Sequence, residues 1–296
     1  MKSYMKQDPI QIKFKNRQNP QAEFDMIDLG EIFYRKDLNH SPFDLHLVNF
    51  YLIVLFEEGE SGHTIDFSNY NCERGSLITI RKDQIHRFHN HPAAKGKLLL
   101  FTDDFLLSYL EKLEALKSLQ LFNELLGEPK IQLNESELNE VQNLIQRISQ
   151  EYFKTNDEYS LGIIRSELHI LLAKLYRIKS QRNQIIENRK YLEEFIKFQN
   201  LVEKYANQHS KVKTYADMMS VSSKTLNAYT QAIVHKSAKE FIDEICTKQI
   251  KRLLINTELS VKEIAYASGF EETTNFYKYF KRQTSFTPEG FRESAR

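Results

Sequence analysis

Histidine side chains bind metals and move protons near neutral pH, and four of them stand out in the first hundred residues. His86, His89 and His91 lie close together, whereas His46 precedes them by about forty residues. A transition metal normally takes three protein ligands, so the pair His46 and His86 is too small a set. For the closely spaced histidines, a solvent-facing cluster at a strand end is commoner than a metal tract. We therefore predict no bound metal and no other cofactor.

Nucleophilic and nucleotide chemistry have no support either. No Ser/His/Asp or Cys/His arrangement and no glycine-rich phosphate loop occurs in a suitable context. We therefore predict that the chain is not an enzyme.

Charge is distributed unevenly along this 296-residue chain, whose length favours two domains. The net charge is only +1, but residues 195–296 hold 16 Lys and Arg against 11 Asp and Glu. A local basic excess of this kind is typical of nucleic-acid binding. We predict a cytoplasmic protein for three reasons. The two cysteines, Cys72 and Cys246, lie far apart in the sequence, which argues against a disulfide framework. The sequence also shows no signal peptide and no apolar run long enough to span a bilayer.

The basic segment contains a diverged internal repeat at an offset of about 50 residues. Each copy has the pattern of a short helix, a tight turn and a second helix. In the second copy, Ser260 to Glu263 predicts a capping box, and Gly269 supplies a turn in which a positive φ costs least. Residues 241–254 predict an amphipathic helix that joins the copies. Two helix-turn-helix units in tandem are a much stronger signal than one.

The same segment resembles the AraC/XylS family of bacterial transcription regulators over roughly residues 195–293. The match is closest in residues 253–270 and continues in Asn275-Phe276, Phe280 to Arg282, Thr287-Pro288 and Phe291-Arg292. The resemblance implies that the second helix of each unit enters the major groove of double-stranded DNA, with the two insertions one helical turn apart on one face.

The resemblance also implies which side chains face the DNA. In the first unit the base-facing residues would be Ser223, Lys224, Asn227, Ala228 and Gln231. In the second unit they would be Thr273, Thr274, Asn275, Tyr277 and Lys278. Contacts with phosphate would come from Lys236, Lys281, Arg282 and Arg292. The first unit departs from the family pattern at Ala228, Thr230 and His235.

Short β-strands are predicted in the first hundred residues, where glycine and proline are frequent and where residues 50–56 form a β-branched and aromatic run. Residues 75–90 are similar to a conserved motif of cupins, with Arg81 and Asp83 in place of its usual Pro and Gly. We predict an apolar cavity that binds a small-molecule effector. Its candidate lining residues come from the strands and are His46, Phe50, Leu52, Val54, His86 and Phe88.

Helices follow from Asp103, and residues 134–137 predict a capping box. A broad apolar stripe then runs along a predicted long helix. This stripe could pack against its own domain or form an interface with a second subunit. For the second case we predict a homodimer interface at Leu161, Ile164, Leu168, Leu171 and Leu175.

These elements predict an α+β protein of two domains. The first, residues 1–180, would be a cupin-like β-barrel over about 20–101 with helices over about 103–180. A linker over 181–190 would lead to an all-α DNA-binding domain over 191–296. That domain would hold helix-turn-helix units at about 211–233 and 260–282, joined by a linker helix at about 239–255.

The function predicted from the sequence is that of a transcription regulator that binds promoter DNA and responds to a small molecule, with RNA polymerase as a further candidate partner. One alternative is a ligand-independent regulator whose barrel only dimerises. Another is a metal-dependent cupin enzyme with a basic appendage.

Overall fold

The computed structural model describes residues 10–16, 19, 22–34, 41–89, 91, 93–107, 110, 121–122, 128–183, 189–206 and 211–294. The chain divides into two units, with residues 9–184 in the first and 185–296 in the second. The division falls within 181–190, the stretch predicted as a linker, although the preceding helix continues to Asn183. Within the described ranges, no helix is long and apolar enough to cross a membrane.

Two five-stranded sheets make up the β structure of the first unit. Sheet A contains, in spatial order, β1 (Ile10–Ile12), β3 (His46–Val48), β8 (Ile85–Phe88), β5 (Ser61–Ile65) and β6 (Ser68–Cys72). Sheet B contains, in spatial order, β10 (Lys130–Gln132), β7 (Ser76–Ile80), β4 (Tyr51–Glu58), β9 (Lys95–Phe101) and β2 (Phe24–Asp28). Strands β1 and β10 lie outside the predicted span of about 20–101, so the β structure uses more of the chain than expected.

The central strand β4 explains the long apolar run of the sequence. Its residues alternate between two cores, because successive side chains of a strand point to opposite faces. Leu52, Val54 and Phe56 contribute to an apolar cluster shared by both sheets, which we call the inter-sheet core. Tyr51, Ile53 and Leu55 pack on the other face, in a second core formed with the following helices.

Those helices are α2 (Asp103–Leu107), α3 (Glu135–Gln150), a π-helical turn (Glu151–Thr155) and α4 (Ser160–Asn183). The short helix α1 (Leu29–Tyr34) precedes β4 and packs into the inter-sheet core instead. The predicted capping box opens α3: the Asn134 side chain accepts from the Glu137 backbone N–H at 2.9 Å, and the Glu137 carboxylate accepts from the Asn134 N–H at 2.8 Å. This prediction is confirmed.

The apolar stripe of α4 packs within its own chain. Ile164, Leu168, Leu171 and Leu175 are at most 1% exposed, and the partly buried Leu161 packs against the same core. Side chains that are already covered by sheet B and α3 have no surface left for a second subunit. The prediction of a dimer interface is therefore wrong for Ile164, Leu168, Leu171 and Leu175, which close the helical core of the first unit, and only the partly buried Leu161 keeps some exposed surface.

All regular secondary structure in the described part of the second unit is helical. It contains α5 (Arg189–Tyr205), α6 (Val212–Met218), α7 (Ser223–Val234), α8 (Ala238–Asn256), α9 (Val261–Ala267), α10 (Thr273–Thr284) and α11 (Pro288–Ser294). Serine side chains accept hydrogen bonds from the first turns of α7, α8 and α9, which defines where these helices begin. The shorter helices pack against the long helix α8, which buries Phe241, Ile242, Ile250 and Leu254.

Candidate DNA-binding surface and effector site

The two helix pairs α6–α7 and α9–α10 have equivalent turns. Ser220 in the first turn has φ +56° and Gly269 in the second has φ +81°. In both turns the next backbone N–H donates to a helix carbonyl at 3.0 Å, from Val221 to Ala216 and from Phe270 to Ala265. The small Ala216 and Ala265 are buried and allow the two helices of each pair to approach closely.

In the first unit, α7 is anchored by the buried Leu226, Tyr229 and Thr230. Its opposite side exposes Lys224, Ala228 and Gln231, while Ser223 is half-buried. Asn227 behaves differently from the prediction. Its Nδ2 donates to the Ser223 carbonyl at 2.9 Å, and its Oδ1 accepts from the Ala238 N–H at 2.9 Å.

The Asn227 amide is therefore engaged on both sides and holds the N-terminal half of α7 to the start of α8. This assignment corrects the expectation that Asn227 is a free base-reading group. The sequence carried one signal for it, since a helix such as α8 begins with backbone N–H groups that need acceptors.

In the second unit, α10 is anchored by Phe276 and Phe280, which are fully buried. Thr274, Asn275 and Lys278 are exposed, and Thr273 is half-buried. The Tyr277 hydroxyl donates to the Glu289 carboxylate on α11, and this contact raises the pKa of Tyr277 to about 12. Tyr277 thus ties its helix to the next one, as Asn227 does 50 residues earlier.

The four cations predicted to contact phosphate differ in the contacts that they make within the protein. Lys281 and Arg282 are exposed, with the Arg282 guanidinium 5.7 Å from the centroid of the Tyr279 ring. Lys236 forms an ion pair with Glu244 at 2.6 Å.

Arg292 is a structural residue. Its Nε donates to the Leu254 carbonyl and its Nη2 to the Leu259 carbonyl, both at 2.7 Å. The guanidinium satisfies carbonyls where α8 ends and the chain turns toward α9. Two of its three guanidinium nitrogens are therefore engaged within the fold, and the phosphate contact of Arg292 stays a prediction that this geometry does not favour.

The six predicted effector-site residues all lie in the interior of the first unit. Phe50, Leu52, Val54 and Phe88 belong to the inter-sheet core and are at most 4% exposed. His46 and His86 face each other across strands β3 and β8, with ring centroids 4.2 Å apart.

A third histidine, His63 on β5, joins them and was missed in the sequence analysis. Its Nε2 lies 3.2 Å from Nδ1 of His86, their rings stack, and the His63 ring meets Phe88 edge-on at 4.6 Å. The period of two in residues 63–67 places His63 on the same strand face as the buried Ile65. That alternation was the signal that could have found it.

The three rings give an apolar interior one polar point. Burial, together with the neighbouring His46 and His89, lowers the pKa of His63 to about 3, so the ring is neutral at physiological pH. Its Nδ1 is buried without a hydrogen-bond partner among the described residues. Neutral imidazoles donate and accept hydrogen bonds, so this cluster is suited to orient a polar group of a small molecule. No group of three His, Cys, Asp or Glu in the described ranges has the geometry to hold a metal ion.

Two family models match the chain. One described as an AraC-like ligand binding domain matches residues 28–172, and one described as a helix-turn-helix domain matches residues 215–294. These ranges correspond to the sheet-containing first unit and to the tandem helix pairs.

Curated relatives align with most of the chain. The chain is 23% identical over 265 residues to the HTH-type transcriptional activator RhaS of Enterobacter sp. (strain 638), covering 86% of this chain and 90% of that protein. It is 22% identical to RhaR of the same strain, covering 85% of this chain and 87% of that one. Among solved structures, ToxT from Vibrio cholerae with bound unsaturated fatty acid matches with 16% identity and a TM-score of 0.42, covering 91% of this chain and 94% of that chain.

Proposed function

Because the chain belongs to the AraC family of transcription regulators, we propose that it reads promoter DNA with its two helix pairs and is controlled by a small molecule bound in the inter-sheet core. The observation that carries this proposal is the matched exposure of polar and basic side chains on α7 and α10. Two identically built pairs with buried anchors and exposed outer faces are what a bipartite operator requires.

The DNA part of this function is tested by recovering the genomic fragments bound by the full chain. We expect discrete promoter sites that are protected over two neighbouring major-groove segments. The double variant Lys278→Ala, Lys281→Ala should lose these sites while keeping the wild-type helix content. Undiminished protection would show that α10 does not face the DNA.

The effector would enter a pocket lined by Phe50, Phe88 and the three histidines. The buried, neutral His63 with its unpartnered Nδ1 supports a ligand that combines an apolar body with a hydrogen-bonding group. Effector binding would shift the population of domain arrangements and so change the presentation of the helix pairs to DNA.

A ligand-independent regulator is the second candidate, favoured by the packing of the candidate lining, whose side chains are at most 4% exposed. Thermal-shift screening of the full chain against small metabolites separates the two. A ligand that binds only the folded protein raises the unfolding midpoint. For an effector in this site, the shift should disappear in His63→Leu and persist in the exposed control His91→Leu. A screen without any stabilising compound would favour the second candidate.

We also propose that the chain is a homodimer, through the exposed side of α4. Ile163 and Ile170 are 41% and 44% exposed, and Tyr159 is 66% exposed. With Ser166, Ala173 and Arg177, which are exposed or nearly so, they form a stripe spaced by three and four residues.

This stripe matches a second, antiparallel copy of itself. A two-fold axis at position 168 sets Ile163 opposite Ala173, Ser166 opposite Ile170, and Tyr159 opposite Arg177. Each contact then pairs a large side chain with a small one or an aromatic ring with a cation. Glu158 at one end would also approach Arg177 at the other. The stripe is about 27 Å long at 1.5 Å per residue.

The remaining elements of the function are coarser. The relatives are transcriptional activators, which supports a regulator without catalytic activity, working in the cytoplasm. RNA polymerase is the partner that such a regulator would address at a promoter.

A further inference from the structure

The exposed faces of α7 and α10 carry two equivalent stripes of three side chains. On α7 the stripe is formed by residues 224, 228 and 231, and on α10 by residues 274, 278 and 281. The offset is 50 residues at all three positions, and the spacing i, i+4, i+7 sets each triplet along one side of its helix. All six residues are exposed, and their side chains form no hydrogen bond or ion pair with another described residue.

The neighbouring position on each helix is not free to read bases. Asn227 and Tyr277 are also 50 residues apart, and each is tied to the element that follows its helix. Both units use this position for internal contacts. We therefore expect the side chains of the two stripes to determine how the units differ in base preference.

The two stripes carry different chemistry. The first contains Lys224, Ala228 and Gln231, and the second contains Thr274, Lys278 and Lys281. The sharpest contrast is at the middle position, where a methyl group in the first unit corresponds to an ammonium group in the second. Alanine contacts the methyl group of thymine, and glutamine pairs with adenine, whereas lysine donates to O6 and N7 of guanine.

We infer that the two units read different base compositions, with the residue pair Ala228 and Lys278 as the main determinant. At the last two positions of its stripe the first unit selects A·T pairs through Ala228 and Gln231, and its Lys224 leaves one guanine contact at the first position. The second selects a segment that contains guanine on the contacted strand, through Lys278, while Lys281 contacts the phosphate backbone. The operator then consists of two neighbouring segments in the same orientation that differ in base composition. This inference rests on the proposed DNA-binding function.

The test is selection of a randomised double-stranded DNA library by the full chain, followed by sequencing of the bound molecules. The wild type should enrich A·T pairs in one segment and guanine in the other. Ala228→Lys should add a guanine preference of about tenfold at one position of the A·T-rich segment, since a good base contact discriminates by about 1–3 kcal/mol. Lys278→Ala should lose a guanine preference of similar size from the other segment.

Two controls have the same change of charge away from the stripes. Ala267→Lys and Lys262→Ala alter exposed positions on α9. They should change overall affinity and its salt dependence and leave both base preferences as in the wild type.

The outcomes separate the inference from the function beneath it. Enrichment of a site whose base preferences do not move in Ala228→Lys or in Lys278→Ala would overturn the inference and leave DNA binding intact. Equal base composition in both segments would overturn it as well. A wild-type chain that enriches no sequence would overturn the proposed function together with the inference.

Discussion

His46, His63 and His86 show how burial sets the chemistry of single residues in the first unit. The rings of His63 and His86 contact each other and Phe88, and the His46 ring contacts that of His86. The apolar side chains of the inter-sheet core surround Phe88. At His63 burial disfavours the imidazolium, because its charge would lose hydration and would lie beside His46 and His89. The packing of His63 is therefore most favourable while its ring is neutral.

Acidification should destabilise the first unit through His63. Its pKa is about 3 in the folded protein and about 6.5 in an unfolded chain, so unfolding takes up a proton between these values. The contribution of His63 to the free energy of unfolding is fully present above about pH 6.5. Below that pH it falls by up to about 1.4 kcal/mol per unit of pH. Amide exchange of β3, β5 and β8 from pH 7.5 to 5 measures this slope. The dependence of stability on pH should become flatter in His63→Leu and stay as in the wild type in His91→Leu. The same slope in both variants would mean that other groups cause the effect.

Arg292 and Lys281 are two basic residues with opposite expected phenotypes. Arg292→Lys breaks at least one charge-assisted bond to the Leu254 or Leu259 carbonyl and should cost about 1.5–3 kcal/mol of unfolding free energy. Lys281→Ala removes an exposed cation and should change stability by less than about 0.5 kcal/mol while weakening DNA binding. Urea unfolding and DNA titration of both variants measure the difference. A stable Arg292→Lys with reduced DNA affinity would restore Arg292 to the phosphate contacts.

At the scale of elements, helix α4 has two apolar sides with different roles. One side, with Leu168 at its centre, is covered by the core of its own unit, and the other exposes Ile163 and Ile170. A broad apolar stripe in the sequence does not separate these sides, because periodicity reports how many faces a helix could bury and not what covers each of them.

Substitutions on the two sides of α4 should separate assembly from folding. Ile163→Lys with Ile170→Lys should shift the chain from dimer to monomer in sedimentation velocity, with little change in melting temperature. Gln146→Lys on the exposed side of α3 is the matched control and should stay dimeric. Leu168→Ala should lose about 2–5 kcal/mol of stability, as expected for a fully buried leucine. A double variant that remains dimeric would place the interface elsewhere.

The whole molecule separates its charge along the chain. The net charge of +1 conceals an excess of five positive charges in residues 195–296, offset by the acidic remainder. Since phosphate contacts release counterions, DNA affinity should depend on salt through the second unit.

Removing single cations should report this division. Arg282→Ala should flatten the slope of log affinity against log salt by about one unit, because one phosphate contact is lost. Lys154→Ala removes an exposed cation from the first unit and should leave the slope unchanged. Equal effects of the two changes would mean that the first unit also contacts DNA.

Local features of the fold follow from the amino-acid sequence alone. The tandem repeat, the capping box at Asn134 and Glu137, the turn at Gly269 and the buried strand at residues 50–56 all depend on neighbours a few residues away. Helix period, cap chemistry and backbone conformation act over that range, so the pattern alone is sufficient.

Which side chains remain available for function depends on long-range packing. Asn227 and Arg292 are held by groups 11 and 38 residues away, His63 meets His86 across 23 residues, and α4 is covered by a sheet from earlier in the chain. Such contacts depend on how the elements pack, and the same residue type serves equally well at a surface or in a hydrogen-bond network. Packing therefore divides the candidate residues into those that hold the fold and those that are free to meet DNA or a ligand.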